Sequence, residues 1–473
     1  MLILADVLES LTGTRPEGAS LVISEASIDS RQVIPAGLFV ALPGERVDGH
    51  DYVGEAFKHG AHLALVQKDL SEKYVTLDLR AGSIASGAPI PEAPFCLLVE
   101  NTILALQKIA GFWRRKLNVR VIGVTGSVGK STTKELVAEV LSQRFRTLKN
   151  QGNLNNEIGL PLTLLRMGLG HERAVLEMGF YEPGEITLLC NLALPSIGVI
   201  TNVGMVHAER AGSQAAIAQG KSELIQALPP APEGVAVLNF DDPWVKPMAE
   251  ITKAQVFYYG LDPHADLWAD QIEGLGLEGI RFRLHYHNET LYFRVPLIGR
   301  HSVHTVLRAA AVGLIEGLTW QEIANGLQGG QSQLRLVAVH TDNGALILDD
   351  TYNAAPESTL AALNLLEEMG GRKIAVLGDM LELGPYEQQG HELVGVRAAE
   401  VCALLVTVGE RGKMIAEAAL QAGMRPWTVN RFDTVPAAIE FLKTTLLPDD
   451  VALIKGSHGL RMDRIVSALE TES

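Results

Sequence analysis

The sequence predicts an α/β protein of three domains: a small α/β N-terminal domain, a central parallel sheet with a small antiparallel appendage, and a C-terminal Rossmann-like doubly wound sheet. Three observations predict it. The chain has 473 residues, about three times a typical domain of about 150. From residue 119 onward, near-continuous apolar runs alternate with helical patterns, as buried parallel strands require. One stretch, 267–298, breaks this rhythm with alternating apolar and polar residues, the mark of antiparallel strands with one wet face. The domains are expected at 1–105, 106–331 and 332–473.

In the first hundred residues, short strand-like runs alternate with turns. Residues 78–94 are rich in Gly, Ala, Ser and Pro and read as a loop, and FCLLVE (95–100) reads as the last strand of the segment. From Asn101 to Trp113 the spacing is helical, with Ile103, Leu104, Leu106, Ile109 and Phe112 on one side. VRVIGV (119–124) then reads as a strand, followed by a Gly-rich turn and a helix that buries Leu136, Val137, Val140 and Leu141. Further apolar runs end at Glu177, Asn202 and Asn239. The stretches RFRLHYH and LYFRV form the antiparallel part, and an Ala-rich helix from His304 to Ile315 closes the segment. The last domain repeats strand and helix through ALILDD (345–350), KIAVLGD (373–379), ALLVTVG (403–409) and VALIKG (451–456). Ligands bind at the carboxyl ends of such strands, so Asp350, Asp379 and Lys455 are candidates by position alone.

Hydrophobic residues make up 47% of the chain and charged ones 20%, enough apolar material for large cores. The net charge of −15 opposes nucleic-acid binding, because an acidic surface repels a phosphate backbone. Any phosphate ligand must be held by local amides, helix N-termini and single cations. Cys96, Cys190 and Cys402 have no metal-binding spacing and are odd in number, so buried structural thiols in a reducing compartment are expected. No apolar run reaches the about 18–20 residues of a membrane helix, and MLILADVLESL has no basic stretch before its apolar one. A cytoplasmic protein without membrane insertion is expected.

The sharpest local signal is VIGVTGSVGKSTTKE (121–135). A strand runs into a turn with Gly126 and Gly129, and Lys130-Ser131-Thr132 opens a helix. A P-loop needs these parts: glycines that let amides face phosphate oxygens, a lysine for the β/γ-phosphates, and a hydroxyl for Mg²⁺. The strict pattern asks for Gly at 124, where this chain has Val124. Glu177 ends a strand, where a carboxylate can complete a Mg²⁺ site. His207 follows a further strand, and Lys221 sits in a helical pattern; taken alone, each is an ordinary solvated residue.

Read together, these segments resemble the Mur ligase family. TGSVGKST (125–132), GNLNNEIGLPLTLL (152–165), AVLEMG (174–179), TNVGMVHAE (201–209), GKSEL (220–224), GRHSVHTVLRAAA (299–311), LDDTYNAAP (348–356), VLGDMLELG (376–384) and IKGSHGLRM (454–462) occur in that family's order. IDSRQVIPAGLFVAL (28–42) and VDGHDY (47–52) resemble its uridine-nucleotide-binding domain. LDDTYNAAP and VLGDMLELG are most similar to the branch that adds D-alanyl-D-alanine.

The resemblance implies ATP and Mg²⁺ at two sites, and an acyl phosphate formed on UDP-MurNAc-tripeptide that the amine of D-Ala-D-Ala attacks. It implies that Thr125, Gly126, Ser127, Gly129, Lys130, Ser131 and Thr132 hold the ATP phosphates. Ser131 and Glu177 would take a first metal, and His207 and Lys221 a second. An ammonium cannot ligate a cation, so Lys221 fits only as a carbamate formed with CO₂. Asn155 and Asn156 would contact the γ-phosphate or acyl phosphate. Asn239 and residues 299–305 would approach adenine; Ser302 and Thr305 stand where the common form G-R-H-N-V-x-N has Asn. Arg335 and Asp350 would reach phosphate and ribose. Ser30, Arg31, Asp48 and His50 are expected at the uridine end, and Asn353, Lys455, Ser457 and Arg461 at the peptide. A monomer is expected. Two alternatives share the P-loop: another amino-acid ligase of the family, and a P-loop NTPase regulator without ligase chemistry. The second leaves Lys221 and the first domain unexplained.

Overall fold

The computed structural model describes residues 1–44, 47–83, 89–205, 208–329 and 337–470. His207 and Arg335 lie outside the described residues. Three sheets carry the fold. The first has five parallel strands in the order Ala26–Ser27, Leu38–Val40, Leu63–Val66, Phe95–Leu98 and Thr76–Asp78. The third has six, in the order Val337–His340, Leu346–Asp350, Asp450–Lys455, Arg372–Gly378, Leu404–Val408 and Val429–Phe432. Its first pair is antiparallel and the rest parallel.

The central sheet has nine strands. Thr147–Lys149, Arg173–Glu177, Arg120–Thr125, Ile197–Ile200, Val235–Asn239 and Gln255–Gly260 are parallel neighbours in that order. Leu267–Gly274 pairs parallel to the last of these and antiparallel to Ile280–Tyr286, which pairs antiparallel with Glu289–Val295. The expected antiparallel appendage is therefore an extension of the main sheet, joined through Tyr259 opposite Leu267.

Both faces of the larger sheets are covered, which is why their strands read as unbroken apolar runs. In Leu346–Asp350, Leu348 packs with Leu363, Val394 and Ile415, whereas Ile347 packs on the opposite face with Leu442 and Ile465. In the central sheet, Ile122 and Val124 face Leu136 and Val140 of the helix Lys130–Ser142, as the sequence predicts. Val121 faces the other way, into a core shared with Leu38, Leu63 and Phe95 of the first domain.

The helix Thr102–Arg115 fills that shared core. It packs against the helices Leu4–Thr12, Gly159–Leu165 and Glu185–Ala193. This corrects one assignment: the buried stripe is Thr102, Ala105, Leu106, Ile109, Ala110 and Trp113, and Leu104 is 57% exposed. Packing from two sides selects a stripe rotated from the one that hydrophobicity alone suggests. Arg114 closes the junction, donating from Nε to Ala193 O (2.7 Å), from Nη1 to Leu117 O (3.0 Å) and from Nη2 to Val119 O (2.8 Å). Arg114→Met should lower unfolding stability by about 3 kcal/mol, because buried carbonyls lose charged donors; urea unfolding measures it.

Cys96, Cys190 and Cys402 are buried and unbonded to one another, and burial pushes their thiols up to about 11, 12 and 12. They are inert packing groups, as expected. Among the described residues, no helix is long and apolar enough to cross a membrane.

Candidate functional site

A cavity of about 380 Å³ lies between the carboxyl edges of the central and C-terminal sheets. Its central-domain wall includes Ser127, Gly129, Lys130, Ser131, Thr132, Asn155, Asn156 and Glu177. The opposite wall includes Asp350, Asn353 and Lys455. Residues remote in sequence thus converge at the strand ends, where α/β sheets bind ligands.

The phosphate loop is held from behind by the segment after Ile197–Ile200. Ser127 N donates to Asn202 O (3.0 Å), Val128 N to Asn202 Oδ1 (2.9 Å), and Thr201 Oγ1 to Val128 O (2.7 Å). Thr125 is buried behind the loop, its hydroxyl donating to Met178 O at 2.9 Å. Gly126 has φ 148°, and a methyl group there would lie 1.8 Å from Thr201 Oγ1, so only glycine fits. Gly129, φ 83°, precedes the helix Lys130–Ser142, which has no side-chain cap. Its N-terminal residues Lys130, Ser131 and Thr132 line the cavity, and the amino end of a helix favours an anion. Lys130 Nζ donates to Gly126 O (2.9 Å) and Ser127 O (3.3 Å).

Glu177 ends its strand 3% exposed. Asn150 fixes its backbone: Glu177 N donates to Asn150 Oδ1 (2.9 Å) and Asn150 Nδ2 donates to Glu177 O (3.2 Å). Asn155 Nδ2 donates to Oε1 at 2.9 Å. Oε2 is buried without a hydrogen-bond partner, 4.0 Å from Lys134 Nζ. Glu177, with a buried carboxylate oxygen that has no hydrogen-bond partner, and Ser131 both line the cavity, and such oxygen donors suit a hard cation. Among the described residues, no three His, Cys, Asp or Glu side chains cluster.

Lys221, on the helix Gln214–Gln226, is fully buried; its Nζ has no hydrogen-bond partner and lies 4.8 Å from the Phe180 ring centre. Burial, and then the Lys130 charge, push its ammonium well below the ordinary lysine range. Among the ATP candidates, Asn239 is buried and spends its side chain on Thr201 O (3.2 Å) and Asp241 N (3.0 Å). Asn156 caps the helix Gly159–Leu165 through Gly159 N (2.8 Å). Ser302 and Thr305 line the cavity; Ser302 Oγ donates to Ile298 O at 2.7 Å.

Across the cleft, Lys455 is buried and donates to Asp350 Oδ2 (2.6 Å) and Asn353 O (2.8 Å). Ser457 is buried away from the cavity wall and accepts from Leu381 N at 2.9 Å. Arg461 is exposed and paired with Asp463 at 2.9 Å.

The uridine candidates cluster in the first domain, but most are engaged internally. Ser30 Oγ donates to Glu55 Oε2 at 2.8 Å. His50 Nε2 accepts from Gln67 N (3.0 Å), so Nδ1 carries the proton and donates to Asp48 Oδ1 (2.5 Å). Asp48 also pairs with Lys68, which, with His50, holds its carboxyl far below the usual range. Arg31 alone presents an exposed side chain, paired with Asp29 at 2.8 Å.

Several functional positions escaped sequence reading. Phe180, Tyr181 and Tyr352 line the cavity, as do Ala361, Ala362 and Leu365 of the helix Pro356–Glu368, and His301 lines it within the expected 299–305 stretch. Asn150 holds the Glu177 backbone and Lys134 Nζ lies 4.0 Å from its carboxylate. Asn150 follows the strand Thr147–Lys149, so its position at a strand's carboxyl end was the available signal. The helix residues look like ordinary core.

Family comparison agrees with this architecture. The Mur ligase family catalytic domain matches residues 22–109, the Mur ligase middle domain 124–313, and the Mur ligase glutamate ligase domain 334–458. The chain is 35% identical over 470 residues to the UDP-N-acetylmuramoyl-tripeptide–D-alanyl-D-alanine ligase of Bacillus subtilis (strain 168), covering 98% of this chain and 97% of the relative. It is 33% identical over 461 residues to the ligase of that name from Escherichia coli (strain K12), covering 96% and 95%. A crystal structure of MurF from Acinetobacter baumannii superposes with a TM-score of 0.82 at 30% identity, covering 98% of each chain. MurF ligase from Thermotoga maritima in complex with ADP gives 0.78 at 26% identity, covering 95% and 97%. With matching models in all three domains and relatives similar along nearly its whole length, the chain belongs to the Mur ligase family.

Proposed function

We propose that this chain joins D-Ala-D-Ala to UDP-MurNAc-tripeptide at the expense of ATP, the addition that completes the pentapeptide precursor of peptidoglycan. The observation that carries the reading is the cleft that sets Lys130, Ser131 and Glu177 against Asp350, Asn353 and Lys455, in a chain similar end to end to ligases named for that reaction.

A carboxylate is a poor electrophile because oxide is a poor leaving group. One oxygen of the tripeptide carboxylate attacks the γ-phosphorus and ADP leaves. The D-Ala-D-Ala amine then attacks the acyl carbon and phosphate leaves, while the amine sheds protons. Several anionic oxygens meet in one place, so the protein's work is positioning and charge neutralisation. Lys130 and the amides of residues 126–132 hold the β/γ-phosphates. Ser131 and Glu177 hold Mg²⁺, which when bound neutralises phosphate charge. Asn155 orients Glu177, and Asn156 lines the acyl-phosphate position. Asp350 accepts ribose hydroxyls, with Lys455 fixing its carboxylate. Residues 1–105 bind the uridine nucleotide, with exposed Arg31 as its phosphate contact and Asp48 and His50 shaping the turn beside it. His207 and Arg335 complete the second-metal and phosphate sets in this reading. The protein works as a cytoplasmic monomer, where ATP and the nucleotide sugar are supplied.

Lys221 enters as a carbamate: its neutral amine adds CO₂ and releases a proton, giving a carboxylate-like group for the second metal. Lys221→Met should lower kcat roughly 10–100-fold, and wild-type activity should fall in CO₂-free buffer and return with bicarbonate. Full activity of the variant would remove the carbamate.

Oxygen transfer tests the reaction itself. With ¹⁸O in the tripeptide carboxylate, the released phosphate carries one ¹⁸O. Unlabelled phosphate alongside peptide product would rule out the acyl phosphate.

A further inference from the structure

Arg308 lies on the helix Val303–Ile315, only 4% exposed, and among the described residues it has no carboxylate partner. Its Nη2 donates to Thr305 Oγ1 (2.7 Å) and its Nη1 to the Tyr259 hydroxyl (3.2 Å), while Nε is buried with no partner. Tyr259 in turn donates to the carbonyls of Ile200 and Thr201 at 3.0 and 3.1 Å. A buried guanidinium held only by neutral oxygens is costly unless an anion comes near.

The phosphate loop is where an anion would come. A methyl group placed on Gly129 would lie 3.4 Å from Arg308 Nη2, so the guanidinium sits directly under the turn that opens the Lys130–Ser142 helix. Arg308 also sets the direction of Thr305. Because Thr305 Oγ1 accepts from Nη2, its own proton is aimed elsewhere, and Thr305 is on the cavity wall.

We propose that Arg308 is a positioning residue of the nucleotide site, a fixed buried charge beneath Gly129 that favours a bound polyphosphate and turns the Thr305 hydroxyl into a donor toward the nucleotide. The inference rests on reading the cleft as the ATP site. It explains how a chain with Thr305 at an expected Asn position still presents a directed donor there. It also explains why a guanidinium lacking a carboxylate persists in the core: the ligand supplies the counter-charge.

The test compares Arg308→Met and Arg308→Lys in the full chain. Arg308→Met should raise the KM for ATP and the Kd for ADP about tenfold, the scale of one charge-assisted contact. Its kcat should stay within about twofold, and its Kd for adenosine, which lacks phosphate and can feel only the redirected Thr305 hydroxyl, should change far less than its Kd for ADP. Arg308→Lys should recover most of the ADP affinity. Without nucleotide, Arg308→Met should melt at or above the wild-type temperature, because a desolvated charge has gone. Wild-type ADP and ATP constants in Arg308→Met would overturn the inference. So would ligand-free melting that falls in both variants while the KM for ATP holds, the pattern of a merely structural arginine. If the wild-type protein binds adenosine and ADP equally, or neither, the reading of the cleft fails and takes the inference with it.

Discussion

Lys130→Met should lower kcat/KM for ATP by about 10³-fold, the scale of losing one preorganised charge donor at a transition state. The ammonium is 2.9 Å from Gly126 O and 3.3 Å from Ser127 O, so it already lies folded over the loop that receives the phosphates. A triphosphate offers it charged acceptors in place of neutral carbonyls, and that gain grows as the γ-phosphoryl transfers. Both the KM for ATP and kcat should therefore worsen. Lys130→Arg should not rescue, because a planar fork does not fit a site shaped for a compact ammonium. Stability should be nearly unchanged, since the helix gains nothing from the lysine's loop contacts that water cannot replace. Steady-state kinetics with a thermal melt checks this; near-wild-type kcat/KM would remove Lys130 from the phosphate site.

The second large effect is expected at Glu177. Glu177→Gln keeps the shape and the bond from Asn155 but removes the charge that fits a cation. Losing a metal ligand at a phosphoryl-transfer site costs several kcal/mol, about 10³-fold in rate. The signature lies in the metal dependence: the Mg²⁺ concentration for half-maximal rate should rise steeply while the KM for D-Ala-D-Ala holds. Asn150→Ala and Asn155→Ala should show weaker forms of the same pattern, because they orient the carboxylate rather than supply it. Glu177→Gln with unaltered Mg²⁺ dependence would mean that the orphaned Oε2 serves the buried Lys134 and not a metal.

These residues differ in how visible they were in the sequence. The phosphate loop is contiguous, and its glycines, lysine and hydroxyls declare one another by spacing, so residues 125–132 are legible without a structure. The central and C-terminal strands are legible too, because strands buried on both faces leave unbroken apolar runs, as in Arg120–Thr125 and Asp450–Lys455. Leu104 was misread because two flanking layers, not one, decide which face of Thr102–Arg115 is buried. The other wall of the cleft was hidden for a different reason. Ala361, Ala362 and Leu365 become a site only when the C-terminal sheet faces the P-loop, and no local pattern encodes that approach. Asp48 and His50 were expected at the uridine end from the resemblance of VDGHDY, and the structure adds that their side chains also hold each other and Gln67 N. Composition reveals that polar groups are present; only geometry reveals whether they are already satisfied.

The most direct test is phosphate release from ATP and Mg²⁺ with UDP-MurNAc-tripeptide, with and without D-Ala-D-Ala, with product masses recorded. The proposed function predicts release that needs both substrates, matched mole for mole by UDP-MurNAc-pentapeptide. Release indifferent to D-Ala-D-Ala, with no new peptide mass, would contradict it.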